Sequence, residues 1–348
     1  MIRVLTFGRF ADENFGGLER YVFELADSLR GEVEYINIVA RRGRPPDVEN
    51  IGRTIYARPV AYLAGAPVCP SMPFHAMRLQ RAKSFQIVHL QFPADPMAHL
   101  ATLSLPRTVR RVITWHSDIV RQRASLQFYR PFLKRLLQSA DTIILPTPAH
   151  YSSSQQLPQW VSRDRTRVVP FGVDYARFMQ RPALADEIRR RYGNPFLIFA
   201  LGRHVYYKGL EYLIRAIRDI PEAQAIIGGK GPLTAQLTSL ANELAVADRI
   251  HFVGRIADAD LAAYYHACDV FCMPSVERAE AFGIVQLEAM ACGKPVVCCR
   301  LGNGVNWVNV DGTTGLAVEP RDPSALAKAL QTLRDDTELR SRLGTQAR

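Results

Sequence analysis

The sequence predicts an α/β protein with two domains, each built on a parallel sheet that helices cover on both faces. Its 348 residues correspond to about two domains of ordinary size. Short apolar segments alternate with amphipathic ones along most of the chain, as strands and helices do in parallel sheets. Hydrophobic residues make up 48% of the chain, which is enough to fill two buried cores.

Residues 1–172 form the first predicted domain. A helix is expected over 18–29 because apolar residues such as Leu18, Val22 and Leu25 recur at helical spacing. Residues 41–83 are rich in arginine, glycine and proline and show no clear period. The predicted strands are Val4–Phe7, Val33–Ala40, Gln86–Phe92, Arg111–Trp115, Thr142–Leu145 and Arg167–Pro170.

Residues 173–194 interrupt this alternation and are interpreted as an interdomain connection, and the second domain then covers 195–348. Its predicted strands are Phe196–Leu201, Ala225–Gly228, Ile250–Val253, Val270–Met273, Val296–Cys299 and Gly315–Val318. Its predicted helices are Gly209–Asp219, Leu233–Leu244, Asp258–His266, Gly283–Ala291 and Pro323–Leu333. Because such sheets bind ligands at the carboxyl ends of their strands, we expect the site in a cleft between the two domains.

The composition limits the possible partners and compartment. The net charge of +11 favours an acidic partner, which leaves nucleotides, nucleic acids, phospholipids and lipid pyrophosphates open. No reading helix, stacking-sheet motif or zinc module indicates nucleic acid. There is no secretory leader and no apolar run of about 18 residues, so any membrane contact is expected to be peripheral. No C-x-x-C pair occurs, and buried thiols in a reducing cytoplasm are predicted for Cys69, Cys268, Cys272, Cys292, Cys298 and Cys299.

The segment 280–295 carries the clearest chemical signal. Glu280 lies in a loop after an apolar strand, Gly283 opens a helix, and Glu288 follows inside it. A helix N-terminus directs unpaired N–H groups and a positive dipole end toward a ligand, which favours phosphate. Two carboxylates beside a phosphate suit the hydroxyls of a sugar. The pattern therefore predicts a sugar-nucleotide site.

Other polar residues follow predicted strands. Arg203 and Lys208 lie in one loop and together suit a diphosphate, although two solvated surface charges would give the same pattern. His116 ends a strand of the first domain, where a structural histidine is the alternative. Gly16 and Gly17 precede a helix and could bring backbone N–H groups near phosphate, or could form a simple turn.

Two further segments are less specific. Asp258 and Asp260 precede a helical run and are interpreted as helix caps, and no other cluster gathers ligands for a metal, so no metal site is predicted. Residues 120–137 interleave basic, aromatic and leucine side chains. This pattern is typical of a helix on a membrane surface, and equally of a core-facing helix with a basic outer face.

Together these segments resemble the retaining glycosyltransferases of family four, which have the GT-B fold of two Rossmann-like domains facing across a cleft. The run Val169–Phe178 is similar to the interdomain signature of that family. The other motifs that carry the resemblance are Glu280-x7-Glu288 with Phe282-Gly283, Gly202-Arg203…Lys208-Gly209, Gly16-Gly17 and the strand-end His116. The family usually ends in a helix that returns to the first domain, often after a Phe-Ser/Thr-Trp-like segment. This sequence has no such segment, so we expect that final crossing helix to be absent.

The resemblance implies roles for particular residues. The first domain would bind the acceptor, and the second the donor nucleotide. Arg203 and Lys208 would bind the donor diphosphate, and Glu288 the ribose. His116 would contact the donor sugar near the reacting carbon. The remaining implied donor contacts are Glu280, Phe282, Gly283 and Ile284 at sugar and phosphate, Gly16 and Gly17 at the diphosphate, and Gly254, Arg255 and Ile256 at the base.

The resemblance also implies a reaction. It would be metal-independent transfer of a hexose with retained configuration, by front-face displacement, with His116, Glu280, Arg203 and Lys208 as the catalytic set and no separate cofactor. The run 114–122 looks most like transferases of O-antigen or capsule synthesis. These favour mannose or a deoxysugar, and GDP-mannose over dTDP- or UDP-sugars.

The acceptor implied by the same resemblance is a polyprenyl-pyrophosphate-linked saccharide at the inner face of the plasma membrane. Asp118 and Arg121 are the candidate acceptor contacts. Another lipid or soluble acceptor, 2-epimerisation of a UDP-sugar, and a non-catalytic subunit that docks a partner remain alternatives.

Overall fold

The computed structural model describes residues 1–8, 17–41, 53–63, 66–119 and 123–348. The chain forms two compact units, Met1–Phe171 and Gly172–Arg348. Each contains a parallel sheet with helices, which confirms the predicted α/β class.

The first unit is built on a seven-stranded parallel sheet and also contains a short hairpin. The strands of the unit are β1 (Ile2–Gly8), β2 (Val33–Ala40), β3 (Arg53–Ala57), β4 (Ala61–Leu63), β5 (Ala66–Val68), β6 (Ile87–Phe92), β7 (Arg110–Trp115), β8 (Thr142–Leu145) and β9 (Thr166–Val168). Its helices are α1 (Gly17–Ser28), α2 (Ser71–Lys83), α3 (Pro96–Ser104), α4 (Arg123–Ser139) and α5 (Pro148–Ser153). The sheet order is β3-β2-β1-β6-β7-β8-β9, while β4 and β5 form a separate antiparallel hairpin. The strand order therefore reverses between β1 and β6, where ligands of doubly wound sheets bind.

The second unit has a six-stranded sheet. Its strands are β10 (Phe196–Leu201), β11 (Ala223–Gly228), β12 (Ile250–Gly254), β13 (Val270–Met273), β14 (Val296–Cys299) and β15 (Gly315–Val318). Its helices are α6 (Tyr175–Met179), α7 (Leu184–Arg191), α8 (Leu210–Arg218), α9 (Thr234–Glu243), α10 (Leu261–Ala267), α11 (Ile284–Ala291), α12 (Gly304–Val308), α13 (Pro323–Asp335) and α14 (Thr337–Ala347). The order β12-β11-β10-β13-β14-β15 places the reversal between β10 and β13.

Two predicted segments differ in the structure. The supposed connection 173–194 contains α6 and α7, and Phe178, Ala185 and Ile188 bury their side chains in the core of the second unit. The helix predicted from Asp258 begins instead at Leu261, after a 3₁₀ turn. The Asp260 side chain makes no capping hydrogen bond, because Asp260 already has right-handed helical backbone angles rather than the extended ones of an N-cap.

All six cysteines are free and buried, as predicted. Burial raises the pKa of Cys268 and of Cys292 to about 12, so both remain neutral thiols that fill core space.

The basic and aromatic helix α4 packs one side into the first core. Leu133, Leu136 and Leu137 are fully buried, whereas Phe128 is 90% exposed. Arg130, Lys134 and Arg135 are also exposed. Within the described part of the chain, no helix is both long and apolar enough to cross a membrane.

Candidate functional site

In the second unit, a buried ion pair links the loop that follows β10 to the loop that follows β13. The Lys208 ammonium donates to Oε2 of Glu280, with 2.5 Å between the nitrogen and the oxygen. Their side chains are only 14% and 11% exposed. The structure therefore brings together two predicted site residues that are 72 positions apart in the chain. The pair lies where the strand order reverses.

Glu280 is held by two residues that the sequence analysis did not select. The Ser275 hydroxyl donates to the same Oε2 at 3.0 Å. The Asn303 amide donates to the backbone carbonyl of Glu280 at 2.7 Å, while its own carbonyl oxygen caps α12 by accepting from the Val305 N–H. Ser275 lies two residues after the end of β13, which is a usable signal, whereas nothing in the local sequence distinguishes Asn303.

Charge keeps Lys208 protonated despite its burial. Burial alone acts to lower the pKa of the ammonium, but the Glu280 carboxylate and Tyr207 raise it, and the net shift is upward. Arg203, in the same loop, is exposed, and no described residue forms an ion pair with it. The loop therefore presents one fixed cation and one accessible guanidinium.

Close backbone contact fixes this loop in place. Gly209 has a φ of +62°, and a Cβ there would lie 2.1 Å from the carbonyl oxygen of Pro274. The Val276 N–H donates to the carbonyl of Tyr207 at 2.9 Å. The loops after β10 and β13 are therefore joined on both sides of Lys208.

The predicted base contacts continue along the same edge of the sheet. The Gly229 N–H donates to the carbonyl of Gly254 at 2.7 Å. A Cβ on Gly229 would lie 2.0 Å from the Gly202 carbonyl oxygen, so the loop after β11 touches the loop after β10. Arg255 is exposed and Ile256 half-buried. Gly254, Arg255 and Ile256 thus lie two strands away from the strand that leads to Lys208.

Helix α11 begins directly after Gly283, whose φ is +74°. Phe282 is buried, and its carbonyl accepts from the Gln286 amide at 2.7 Å. Ile284 is the first helical residue and is half-buried. Further along the helix, Glu288 is buried and accepts from the Tyr265 hydroxyl at 2.7 Å. Glu280 and Glu288 therefore have different partners and different environments.

In the first unit, His116 follows β7 directly. Its Nε2 hydrogen-bonds Oε1 of Gln91 at 2.8 Å, and its ring stacks against Phe171 with 5.1 Å between ring centroids. Tyr21 meets the same ring edge-on at 5.3 Å. Burial lowers the pKa of His116 to about 3, with His89 and His150 adding to the effect. His116 is therefore a neutral imidazole at physiological pH.

The other residues predicted in the first unit have different outcomes. Asp118 accepts from Trp115 Nε1 at 3.1 Å, from Ser154 Oγ at 2.6 Å and from the Gln155 N–H at 2.7 Å. Both its oxygens thus tie the end of β7 to the segment after α5. Gly17 begins α1. Gly16 and Arg121 lie outside the described residues. Among the residues that the structure does describe, no group of three or more His, Cys, Asp or Glu side chains is arranged to hold a metal ion.

Two family models match the chain. Glycosyl transferases group 1 matches residues 184–348, and Glycosyltransferase Family 4 matches residues 15–177. D-rhamnosyltransferase WbpZ of Pseudomonas aeruginosa is 33% identical, with 99% of this chain and 90% of the relative aligned. O-antigen chain mannosyltransferase C of Escherichia coli is 30% identical, with 100% of this chain and 92% of the relative aligned. The crystal structure of Anabaena HepE in complex with UDP has a TM-score of 0.83 at 20% identity, covering 99% of this chain and 93% of HepE, which shows the same fold.

Proposed function

This chain belongs to glycosyltransferase family 4 and is a glycosyltransferase with the GT-B fold, and from that premise we propose that it transfers mannose or a deoxysugar from a nucleotide-sugar to a saccharide acceptor. The acceptor we propose is carried on a polyprenyl pyrophosphate, and the product is a surface polysaccharide such as O-antigen or capsule. Support comes from two relatives that align with nearly the whole chain, a D-rhamnosyltransferase and an O-antigen chain mannosyltransferase.

The observation that carries this proposal is the Lys208–Glu280 pair. A diphosphate placed at this edge of the sheet would meet the fixed ammonium of Lys208 and the accessible guanidinium of Arg203. Such charge is worth most where it is preorganised and shielded from water, because it then stabilises the negative charge that develops on the leaving group. Glu280, held by Lys208 and Ser275, would accept from hydroxyls of the sugar being moved.

We propose a front-face displacement with retained configuration. The bond from the sugar to the diphosphate breaks as the acceptor oxygen bonds to the same carbon, and a donor phosphate oxygen takes the acceptor proton. Lys208 and Arg203 would neutralise the departing diphosphate, so we propose that the reaction needs no metal ion. His116 would contact the donor sugar, and Glu288 the ribose.

Binding of the nucleoside diphosphate tests this assignment. We expect GDP to raise the melting temperature more than UDP, dTDP or ADP, because GDP-mannose is the favoured donor of the transferases that this sequence resembles. At a ligand concentration of 100 Kd, binding stabilises the folded state by about 2.7 kcal/mol. The measurement is a thermal-shift series with and without EDTA. No shift with any of the four would contradict the site, and a shift abolished by EDTA would contradict metal independence.

We also propose that the first unit rests on the anionic inner face of the plasma membrane, where a lipid-linked acceptor is found. Residues 1–171 carry 23 lysine and arginine residues against 13 acidic ones, whereas residues 172–348 carry 21 against 20. Helix α4 combines the exposed ring of Phe128 with the exposed cations Arg130, Lys134 and Arg135. An exposed aromatic ring beside several cations is typical of a surface that binds anionic lipids.

Vesicle sedimentation tests this surface. We expect binding to vesicles with phosphatidylglycerol, little binding to phosphatidylcholine, and a loss of binding when Lys134 and Arg135 are both replaced by glutamine. Each cation near an anionic surface contributes about 1 kcal/mol, so the double replacement should weaken binding roughly 30-fold. The matched control replaces Arg190 and Arg191 of α7 by glutamine. Equal losses in both variants would contradict the assignment to α4.

A further inference from the structure

A row of polar side chains in the first unit extends from helix α1 to strands β6 and β7. This polar row consists of Tyr21, His89, Gln91, Thr114 and His116. His89, Gln91 and Thr114 are at most 5% exposed. Gln91 pairs with Thr114 across β6 and β7. Because side chains alternate along a strand, His89 and Gln91 share one face of β6, and Thr114 and His116 follow each other on the same face of β7.

Hydrogen bonds connect the polar row from end to end. His116 Nε2 lies 2.8 Å from Gln91 Oε1, and Gln91 Nε2 lies 3.2 Å from His89 Nε2. His89 Nε2 also lies 2.7 Å from Thr114 Oγ1. The Tyr21 hydroxyl hydrogen-bonds Thr114 in turn. Burying so many polar groups is costly unless they are paired, which indicates a specific task for the row.

The side-chain amide of Gln91 sets the direction of hydrogen bonding along the polar row, that is, which groups donate and which accept. An amide oxygen only accepts hydrogen bonds and an amide nitrogen only donates them. The amide orientation in the structure, Oε1 toward His116 and Nε2 toward His89, assigns the His116 proton to Nε2. Nε2 of His89 then accepts from the Gln91 amide and from the Thr114 hydroxyl. A neutral imidazole has one protonated nitrogen, so the other nitrogen of His116, Nδ1, keeps a lone pair.

We propose that Gln91 is a positioning residue that sets the tautomer of His116, so that Nδ1 accepts a hydrogen bond from a hydroxyl of the bound sugar. This inference rests on the proposed function, in which His116 contacts the donor sugar. His116 is half-buried, so part of the residue is exposed to solvent. A sugar hydroxyl has a single O–H to donate, and the tautomer with its proton on Nδ1 would offer that O–H no acceptor at this position of the ring.

The surroundings keep both rings neutral, which the tautomer assignment requires. Burial lowers the pKa of His89 to about 4 and that of His116 to about 3. The titratable groups that face His116 are Tyr21 from α1, His89 from β6 and His150 from α5, and none of these supplies a negative charge at neutral pH. Both rings are therefore neutral at physiological pH, where a single tautomer of His116 can persist.

Two substitutions separate the positioning role from simple packing. Gln91→Met keeps the length of the side chain but removes the acceptor for the Nε2 proton. Gln91→Glu keeps an acceptor but adds a carboxylate, which favours the imidazolium and so raises the pKa of His116. In Gln91→Glu, neutral His116 retains its lone pair at high pH and loses it as the pH falls through the raised pKa. Gln138→Met, at an exposed position of α4, is the matched control.

The experiment combines nitrogen NMR of histidine-labelled protein with donor kinetics from pH 5.5 to 9. In the native protein we expect His116 as a single tautomer, protonated on Nε2, across this range. Gln91→Met should show both tautomers and a kcat/KM about 10-fold lower at every pH, the loss of about one hydrogen bond. Gln91→Glu should approach the native rate at pH 9 and lose activity toward pH 5.5, a profile that a packing defect would not produce.

The inference is overturned if native His116 is protonated on Nδ1, or if Gln91→Met leaves its tautomer unchanged. It is also overturned if the tautomer changes while kcat/KM does not. Thermal unfolding of Gln91→Met shows whether the variant is folded, and NMR reads the tautomer without any substrate. If the native protein transfers no sugar from any donor, the proposed function fails, and the NMR result then still decides whether Gln91 sets the tautomer.

Discussion

Replacing Lys208 by methionine is expected to lower kcat/KM for sugar transfer by about 10²- to 10³-fold, the typical loss when one preorganised group that stabilises developing negative charge is removed. Methionine fills a similar volume but carries no charge. Arg203 remains in the variant, so the diphosphate should still bind, more weakly. Steady-state kinetics with the best donor measures the effect, and Lys328→Met at an exposed position of α13 is the control.

The same change has a structural effect that must be separated from the chemical one. Without Lys208, the Glu280 carboxylate keeps the Ser275 hydroxyl but loses its cation in a site that is only 11% exposed. Removing one partner of a buried pair costs up to about 3 kcal/mol of stability, because the other charge remains unpaired. The double variant Lys208→Met/Glu280→Gln removes both charges and should recover most of that stability.

Recovery of stability without recovery of rate shows that the unpaired charge is not the cause of the slow reaction, and a double variant much slower than Glu280→Gln alone identifies Lys208 as a catalytic group. Denaturant unfolding gives the free energy of unfolding for the single and double variants, and kinetics gives their rates. If the double variant is as stable as the native protein and transfers sugar within a few-fold of the native rate, Lys208 has only a structural role and the proposed diphosphate site is wrong.

The sequence predicts the sheets well because their strands are short apolar runs bounded by breakers. Six predicted strands, among them 270–273 and 296–299, have the same bounds in the structure. A strand buried on both faces needs a continuous apolar run. Gly293 and Pro295 separate strand 296–299 from the helix that precedes it. Lys208 and Glu280 also lie in loops that follow strands, and in parallel sheets ligands bind beyond the carboxyl ends of the strands.

Other elements have weak local signals because few of their residues are buried. Helix α2 buries only Met72 and Ala76, so the helical period of its apolar residues is faint. Likewise α7 buries only Ala185 and Ile188 among charged residues, so its sequence resembles that of a connecting segment. Tertiary packing rather than local propensity stabilises such short helices.

Asn303 and Gln91, which hold site residues in place, cannot be predicted from the sequence for a different reason. Asn303 contacts Glu280 from 23 residues away, and Gln91 contacts His116 from 25. Sequence spacing contains no information on such contacts, since they depend on which strands are neighbours. Both become predictable only when the strand order is known. Gln91 lies on β6, beside the strand β7 that His116 follows. Asn303 follows β14, which lies beside the strand β13 that precedes Glu280.

The second large effect is expected for Gly209→Ala, which should destabilise the protein and remove most of its activity together. Two costs combine at this position. The φ of +62° is unfavourable for any residue with a Cβ, which costs about 1 kcal/mol. The new methyl group would also lie 2.1 Å from the Pro274 carbonyl oxygen and 2.9 Å from the Val276 side chain. Because backbone cannot move aside as a flexible side chain does, overpacking adds about 1–3 kcal/mol.

Gly312→Ala separates these two costs. Its φ is +73°, close to that of Gly209, but nothing lies within 4 Å of the position of its Cβ. In this control the free energy of unfolding should fall by only about 1 kcal/mol, the backbone cost, and the activity should be unchanged. In Gly209→Ala the loops after β10 and β13 must separate, which moves Lys208 away from Glu280, so the rate should fall even at temperatures where the variant is fully folded. Equal destabilisation of the two variants, measured by denaturant unfolding, would mean that close contact between these loops does not hold the Lys208–Glu280 pair in place.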